Sequence, residues 1–347
     1  MQKIIVSGGG TAGHITPILA LLPFLKEKFG EIHFFGRREG MEKELTKGAG
    51  VIYHGLDCPR LERNKPWKIL SLPCKLRKAV KTARKLLEEI KPSVVFSKGG
   101  YVSLPVSLAC KDVPLVLHES DTSMGLANRI ALRRARAVCS SFPLPNVGGK
   151  IITHTGSPIR REIYLGDRRR ALEKCGFSGT RKILLVVGGS LGAVAINELV
   201  DEEIDELVKV YDVIHLRGKG NGAKRKKGYY PIEFTNEIND YFSACDLAVT
   251  RGGGNCLFEL ASLKKPMLIL PLPKGASRGD QVSNAEFFAQ KGWALTLSQN
   301  NAKGKLLESV TRLENQSRDI VKALRNGQFD GTKMVFDIIC KNVRDIE

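Results

Sequence analysis

The sequence predicts an α/β protein made of two doubly wound parallel sheets, one per domain, and three observations predict it. An internal echo comes first. Lys3-Ile-Ile-Val-Ser-Gly-Gly-Gly-Thr-Ala-Gly13 aligns without gaps on Lys182-Ile-Leu-Leu-Val-Val-Gly-Gly-Ser-Leu-Gly192, and each reads as a buried strand, a glycine turn and the start of a helix. Next, short apolar runs alternate with helical patterns along the whole chain. Finally, glycine-rich turns at Gly8–Gly13, Gly99-Gly100, Gly188–Gly192 and Gly252–Gly254 each follow a predicted strand.

Taken in chain order, the further strands are Ile32–Phe35, Ser93–Phe96, Leu115–His118, Ala137–Ser140, Val213–Leu216, Leu247–Thr250 and Met267–Leu270. Their continuous apolar character fits parallel strands covered on both faces, where alternation is lost. Helical spacing separates them over Pro17–Lys28, Leu104–Cys110, Ala193–Lys209 and Cys256–Leu263. The halves join near Gly156-Ser-Pro-Ile-Arg160, giving domains of 1–160 and 161–331, with a helical tail from about Thr332 that packs back on the first. The Lys/Gly segment Arg217–Gly228 reads as a mobile surface loop. Two such domains facing a cleft would carry ligands at the strands' carboxyl ends.

A chain of 347 residues with 42% apolar and 26% charged residues is globular and long enough for two cores. No apolar stretch nears the ~18 residues needed to span a bilayer, and the opening strand lacks a signal peptide's cationic start. Eight cysteines are scattered with no Cys-x-x-Cys pair, which points to reduced cytoplasmic thiols and away from a disulfide framework or structural zinc.

The net charge of +19 is concentrated in the first half. It is densest from Arg60 to Lys85, with ten basic residues against Glu62 alone. Trp67, Ile69, Leu70 and Leu72 interleave with cations such as Lys75 and Lys78, a pattern that suits lipid headgroups; a solvated helix face is the plainer alternative. Pro73 is expected to break or kink this stretch. Beyond it Leu76, Val80, Ala83, Leu87 and Ile90 recur at helical spacing and read as core. The regular aromatic interleaving of single-strand binders is missing, so no nucleic-acid partner is expected.

Glycine turns let backbone amides approach a phosphate, and the helix that follows adds a positive partial charge. Neither echo is a dinucleotide fingerprint, because no acid sits on Ile32-His-Phe-Phe-Gly36, and no P-loop pattern occurs. His14, directly after the first turn, is placed to take a proton from a hydroxyl or merely to cap and pack. His118-Glu119 ends an apolar strand, with a buried structural histidine as the alternative. Glu259 lies five residues after Gly254, where a carboxylate can hold a ribose diol or simply be solvated. Asp280, Gln281 and Asn284 follow a Gly-rich segment and suit sugar hydroxyls. Asp-x-Asp is absent, which leaves no evident metal ligand set.

The segments GGGTAGHITP (8–17), SKGGYVSLP (97–105), HESDTSMGLAN (118–128), GSPIR (156–160), VVGGSLGAVAIN (186–197), TRGGGNCLFELASLKKP (250–266) and RGDQVSNA (278–285) occur in this order. Together the chain resembles the MurG family, the N-acetylglucosaminyltransferases of bacterial peptidoglycan synthesis. The resemblance implies a GT-B fold and an inverting, metal-independent reaction that needs no cofactor. GlcNAc would pass from UDP-GlcNAc to the 4-hydroxyl of the MurNAc of lipid I, giving lipid II. An enzyme of this kind would work at the cytoplasmic face of the bacterial membrane, as a peripheral protein on an anionic surface, beside cell-wall synthesis proteins.

By the same resemblance His14 is the general base, and Glu119 is a second catalytic candidate. Gly10, Thr11 and Gly13 shape the acceptor diphosphate site, Thr11 and Gly13 also meeting the donor. Tyr101, His118, Asp121 and Asn128 line the acceptor side. Arg160, Ser190 and Asn197 meet the donor near its diphosphate. Gly254, Asn255 and Cys256 form a helix start opposite the phosphates; Glu259 holds the ribose, and Asp280 with Gln281 reads the GlcNAc. Cys256 departs from the family's small hydroxyl residue, which puts a side-chain bond to phosphate in doubt. The nearest alternative is a GT-B transferase acting on another lipid.

Overall fold

The computed structural model describes residues 2–59, 71–189, 192–273 and 279–344. They divide into two compact units, Met1–Arg160 with Asp330–Glu347, and Arg161–Phe329. No helix among the described residues is long and apolar enough to cross a membrane.

The first unit holds strands β1 (Lys3–Ser7), β2 (Glu31–Arg37), β3 (Ile52–Leu56), β4 (Val94–Ser97), β5 (Leu115–Glu119), β6 (Ala135–Ser140) and β7 (Ile152–His154). They pair in the order β3-β2-β1-β4-β5-β6-β7, every pair parallel. Successive side chains on a strand point to opposite faces, so the central strands feed two cores. Ile4, Val6, Phe34, Phe96 and Val116 share one cluster with Ile15, Ile18 and Leu22 of the helix Ala12–Lys28. Val335 and Ile339 of the helix Thr332–Lys341 complete that cluster. Ile5, Phe35, Val95 and Leu117 pack on the other face against Ala83, Leu87 and Ile90 of the helix Leu72–Ile90.

The second unit holds β8 (Ile183–Val187), β9 (Asp212–Leu216), β10 (Tyr229–Ile232), β11 (Leu247–Thr250), β12 (Met267–Ile269) and β13 (Leu295–Thr296), ordered β10-β9-β8-β11-β12-β13 and again all parallel. The helix Val194–Val210 turns Ile196, Leu199, Val200, Ile204 and Leu207 inward. Glu203 on it accepts the Leu306 and Leu307 amides, each at 2.9 Å, and so caps the helix Leu306–Asn315 where a negative charge is favoured.

Pro73 lies in the first turn of Leu72–Ile90, where a missing amide hydrogen is no loss, and residues 60–70 before it lie outside the described residues. Two readings of local structure are corrected. The first helix begins at Ala12, straight after the glycine turn, and contains Pro17 instead of starting there. Arg217 is a fixed anchor at the start of its loop: its guanidinium holds Asp201 at 2.6 and 2.8 Å, the Tyr229 hydroxyl at 2.9 Å and the Asn221 carbonyl at 2.7 Å.

Candidate functional site

A doubly wound sheet has a point where the strand order reverses, and loops leaving the carboxyl ends on either side diverge to leave a crevice. That point lies between β1 and β4 in the first sheet, and between β8 and β11 in the second. The glycine turns begin directly after β1 and β8, and one residue beyond β4 and β11, after Lys98 and Arg251.

In the first unit the turns after β1 and β4 interlock. Gly10 has φ of +87° and Gly100 of +82°, conformations that glycine takes without strain. A methyl group on Gly10 would come within 2.6 Å of the Tyr101 ring, and one on Gly100 within 3.2 Å of Nε2 of His14. His14 and Tyr101 are therefore each seated on the other strand's turn. Thr11 caps the helix Ala12–Lys28 with extended backbone and no side-chain hydrogen bond. Thr11 and Gly13 are exposed and His14 is half-buried. The helix's own first turn carries no acid, and the carboxylate of buried Glu42 lies against the preceding turn, 2.6 Å from where a side chain on Gly9 would begin.

The residues after β5 are arranged differently from their sequence reading. Glu119 is buried, and its carboxylate accepts the Ser120 amide at 2.9 Å, the Asp121 amide at 3.3 Å, the Gly125 amide at 2.9 Å and the Asn128 side-chain amide at 2.9 Å. Asn128 also donates to the His118 carbonyl at 3.1 Å. These bonds fold the 120–125 loop and occupy both Glu119 oxygens. His118 is fully buried, with Nε2 3.4 Å from the Gly156 carbonyl. Burial, then the nearby Lys98 charge, holds its pKa well below the ordinary value against that carbonyl's opposing pull, so the imidazole is neutral. His118 is a core residue at the rim of the site.

Lys98 is the residue that motif reading passed over. It follows the last residue of β4, is 1% exposed, and donates to the Ser120 hydroxyl. Burial pushes its pKa down to about 8, while Glu119 and Asp121 oppose the shift. A lysine between an apolar strand and a Gly-Gly turn was the available signal.

In the second unit, Gly254 begins the helix Gly254–Ser262, with Asn255 and Cys256 in its first turn. The Cys256 sulfur lies 3.4 Å from the Thr250 hydroxyl, and burial raises its pKa to about 12. The thiol is turned back onto β11, which removes it as a side-chain contact to phosphate. Glu259 is 7% exposed on the same helix, and its neighbour Phe258 meets Phe288 edge-on at 5.7 Å. The helix Asp280–Gln290 starts beside this turn: Asn284 donates to the Gly252 carbonyl at 3.0 Å, and Gln281 accepts the Leu272 amide at 3.0 Å. Arg251 spans the strand ends by donating to the Leu270 carbonyl at 3.0 Å and the Gln299 amide oxygen at 2.8 Å.

Asn197 is corrected as a donor contact. It is buried, donates to the Arg217 carbonyl at 3.0 Å, and pairs its oxygen with His215 Nε2 at 3.0 Å. Its amide is spent behind the glycine turn. Arg160 ends the first unit, half-buried. Ser190, Trp67, Ile69 and Leu70 lie outside the described residues. Leu72 is half-buried at the start of its helix, and Lys75 and Lys78 are exposed on it.

Residues 4–140 match the model of the glycosyltransferase family 28 N-terminal domain, and residues 183–330 that of the glycosyltransferase family 28 C-terminal domain. A protein of Lachnoclostridium phytofermentans described as a UDP-N-acetylglucosamine--N-acetylmuramyl-(pentapeptide) pyrophosphoryl-undecaprenol N-acetylglucosamine transferase is 40% identical over 349 residues, covering 98% of each chain. A Clostridium tetani protein of the same description is 39% identical over 350 residues, again with 98% of each covered. Among solved structures, Acinetobacter baumannii MurG superposes with a TM-score of 0.76 at 24% identity over 98% of this chain and 99% of that one, a likeness of fold.

Proposed function

The chain belongs to glycosyltransferase family 28, and from that premise we propose that it transfers N-acetylglucosamine from UDP-GlcNAc to the 4-hydroxyl of the MurNAc of lipid I, giving lipid II for peptidoglycan synthesis. The observation that carries this reading is identity of 40%, end to end, with a transferase of that description.

The chain's own residues supply the chemistry in two sets. In the first unit the acceptor diphosphate rests on the Gly8–Gly13 turn, facing the start of the helix Ala12–Lys28, whose own first turn carries no acid. His14 is the group beside that turn able to take the proton of the acceptor hydroxyl, and Gly100 lies against its ring. Asp121 and Asn128 border the acceptor, on a loop that Glu119 holds. In the second unit the start of the helix Gly254–Ser262 faces the leaving UDP through backbone amides of Gly254 and Asn255. Glu259 holds the ribose, Asp280 and Gln281 meet the sugar, and Arg160 is assigned to the donor phosphates.

As the acceptor oxygen attacks C1, its proton passes to His14 and the C1–O bond to UDP breaks. The bond formed lies opposite the bond lost, so the sugar is inverted. For a lipid acceptor, we infer docking on an anionic membrane through the face of Leu72–Ile90 that presents Lys75, Lys78 and Lys81.

Transfer of radiolabelled GlcNAc from UDP-GlcNAc to a short-chain lipid I analogue tests the reading, run with and without EDTA. A β1→4 disaccharide and released UDP are expected, unaltered by EDTA. Folded protein that binds UDP-GlcNAc without transferring it would overturn the acceptor assignment. Docking is tested by sedimentation with vesicles of one-third anionic lipid: Lys75→Glu with Lys78→Glu and Lys81→Glu should abolish binding, and unchanged binding refutes that surface.

A further inference from the structure

Glu119 ends β5 and Asp121 follows two residues on, both near enough to Lys98 to act on its charge, and by themselves they would repel an anionic acceptor resting on the turn above Lys98. The group set against them is Lys98. Its stem packs under the same glycine turn, for a methyl group on Gly8 would lie 3.2 Å from Lys98 Cβ and 2.4 Å from the His14 carbonyl oxygen. Its head reaches Ser120, the residue between the two acids. An ammonium has three donors, and a buried one is kept only where its charge does something.

We propose that Lys98 is a positioning residue for the acceptor diphosphate, holding Ser120 in the 120–125 loop and cancelling Glu119 and Asp121 from beneath the Gly8–Gly13 turn. This rests on the acceptor reading given above and deepens it. His118, the other titratable group facing Lys98, is neutral and adds no second cation. The ammonium has a pKa pushed down to about 8 by burial, with Glu119 and Asp121 resisting, so it loses its charge within a range that kinetics can reach.

The experiment is steady-state transfer by the full chain from pH 6.5 to 9.5, with the acceptor analogue and UDP-GlcNAc varied separately, on the parent, Lys98→Met and Lys98→Arg. Activity of the parent is measured first, and its absence would count against the enzymatic reading, not against Lys98. With the parent active, its KM for the acceptor should climb above pH 8. Lys98→Met should raise the acceptor KM about tenfold at pH 7, leave the UDP-GlcNAc KM within about twofold and lose the alkaline limb. Lys98→Arg should keep the low acceptor KM and carry it past pH 9. The proposal is overturned by an unmoved acceptor KM in Lys98→Met, by equal rises in both KM values, or by an alkaline limb that persists in either variant. Should Lys98→Met fail to fold by thermal unfolding, the limb in Lys98→Arg alone decides.

Discussion

The imidazole of His14 lies over Gly100, with Nε2 and Cδ2 at 3.2 and 3.0 Å from the point where a side chain on Gly100 would begin. The group offered as base thus has its position set by a residue 86 places away with no side chain. Alanine at Gly100 should cost about 1–2 kcal/mol for its left-handed backbone and push the ring out of line as well. Gly149 has the same conformation, φ +72°, with nothing within 4 Å, and serves as the control. Thermal unfolding should fall by similar amounts in both variants, while GlcNAc transfer falls at least tenfold in Gly100→Ala alone. Equal activities would remove His14 from the chemistry.

Glu119 and Asn128 form one unit, and their effects should not add. Asn128→Ala and Glu119→Gln each break the shared bond at 2.9 Å, and each should cost roughly 1–3 kcal/mol of stability and raise the acceptor KM. The double variant should cost little more than the worse single one. Full additivity in denaturant unfolding would mean the two residues act apart.

Cys256 should be inert. With its pKa pushed up to about 12 by burial and its sulfur on Thr250, it carries almost no thiolate at pH 8. Cys74 is exposed on the helix Leu72–Ile90. Alkylation at pH 8 followed by peptide mapping should label Cys74 and spare Cys256, and Cys256→Ser should leave transfer within about threefold.

The second unit should be acid-sensitive through His215. Burial first, and the Arg217 charge second, hold that imidazole down to about 3, well under its unfolded value. Between those two pH values the unfolded chain binds a proton that the folded one refuses, so stability falls as pH drops, by up to ~1.4 kcal/mol per pH unit. Calorimetry from pH 7 to 4 should give a falling unfolding temperature, and the slope should flatten in His215→Asn. A parallel slope in the variant would assign the acid sensitivity to other groups.

What could be read in the sequence follows from burial. The central strands, covered on both faces, are unbroken apolar runs such as Ile183–Val187, and they stand where the runs predict. The four strands that left no run, Ile52–Leu56, Ile152–His154, Tyr229–Ile232 and Leu295–Thr296, are the four sheet edges. An edge strand is half in water, and polar residues such as His54 and His154 interrupt its apolar run, while Pro231 lacks the amide hydrogen that a central strand uses. The site divides in the same way. The glycine turns and the helix starts were legible because backbone geometry dictates residue type there. Whether Glu119, Asn197 or Cys256 faces outward or inward was not, since that depends on partners distant in sequence: Gly125 and Asn128 for the first, His215 for the second, Thr250 for the third. Lys98 was passed over for a different reason: its place between an apolar strand and a Gly-Gly turn marks the residue without naming its role.

The helix Thr332–Lys341 supplies Val335 and Ile339 to the cluster formed by Ile4, Val6 and Ile15. On the ribosome those partners emerge more than three hundred residues apart. The second unit, whose residues lie wholly between the two segments, is complete in its own sequence when Phe329 appears and can condense at once. The first must wait with part of one sheet face, beside the helix Ala12–Lys28, uncovered, a natural spot for a chaperone to sit. The half that is translated first is the half that finishes last.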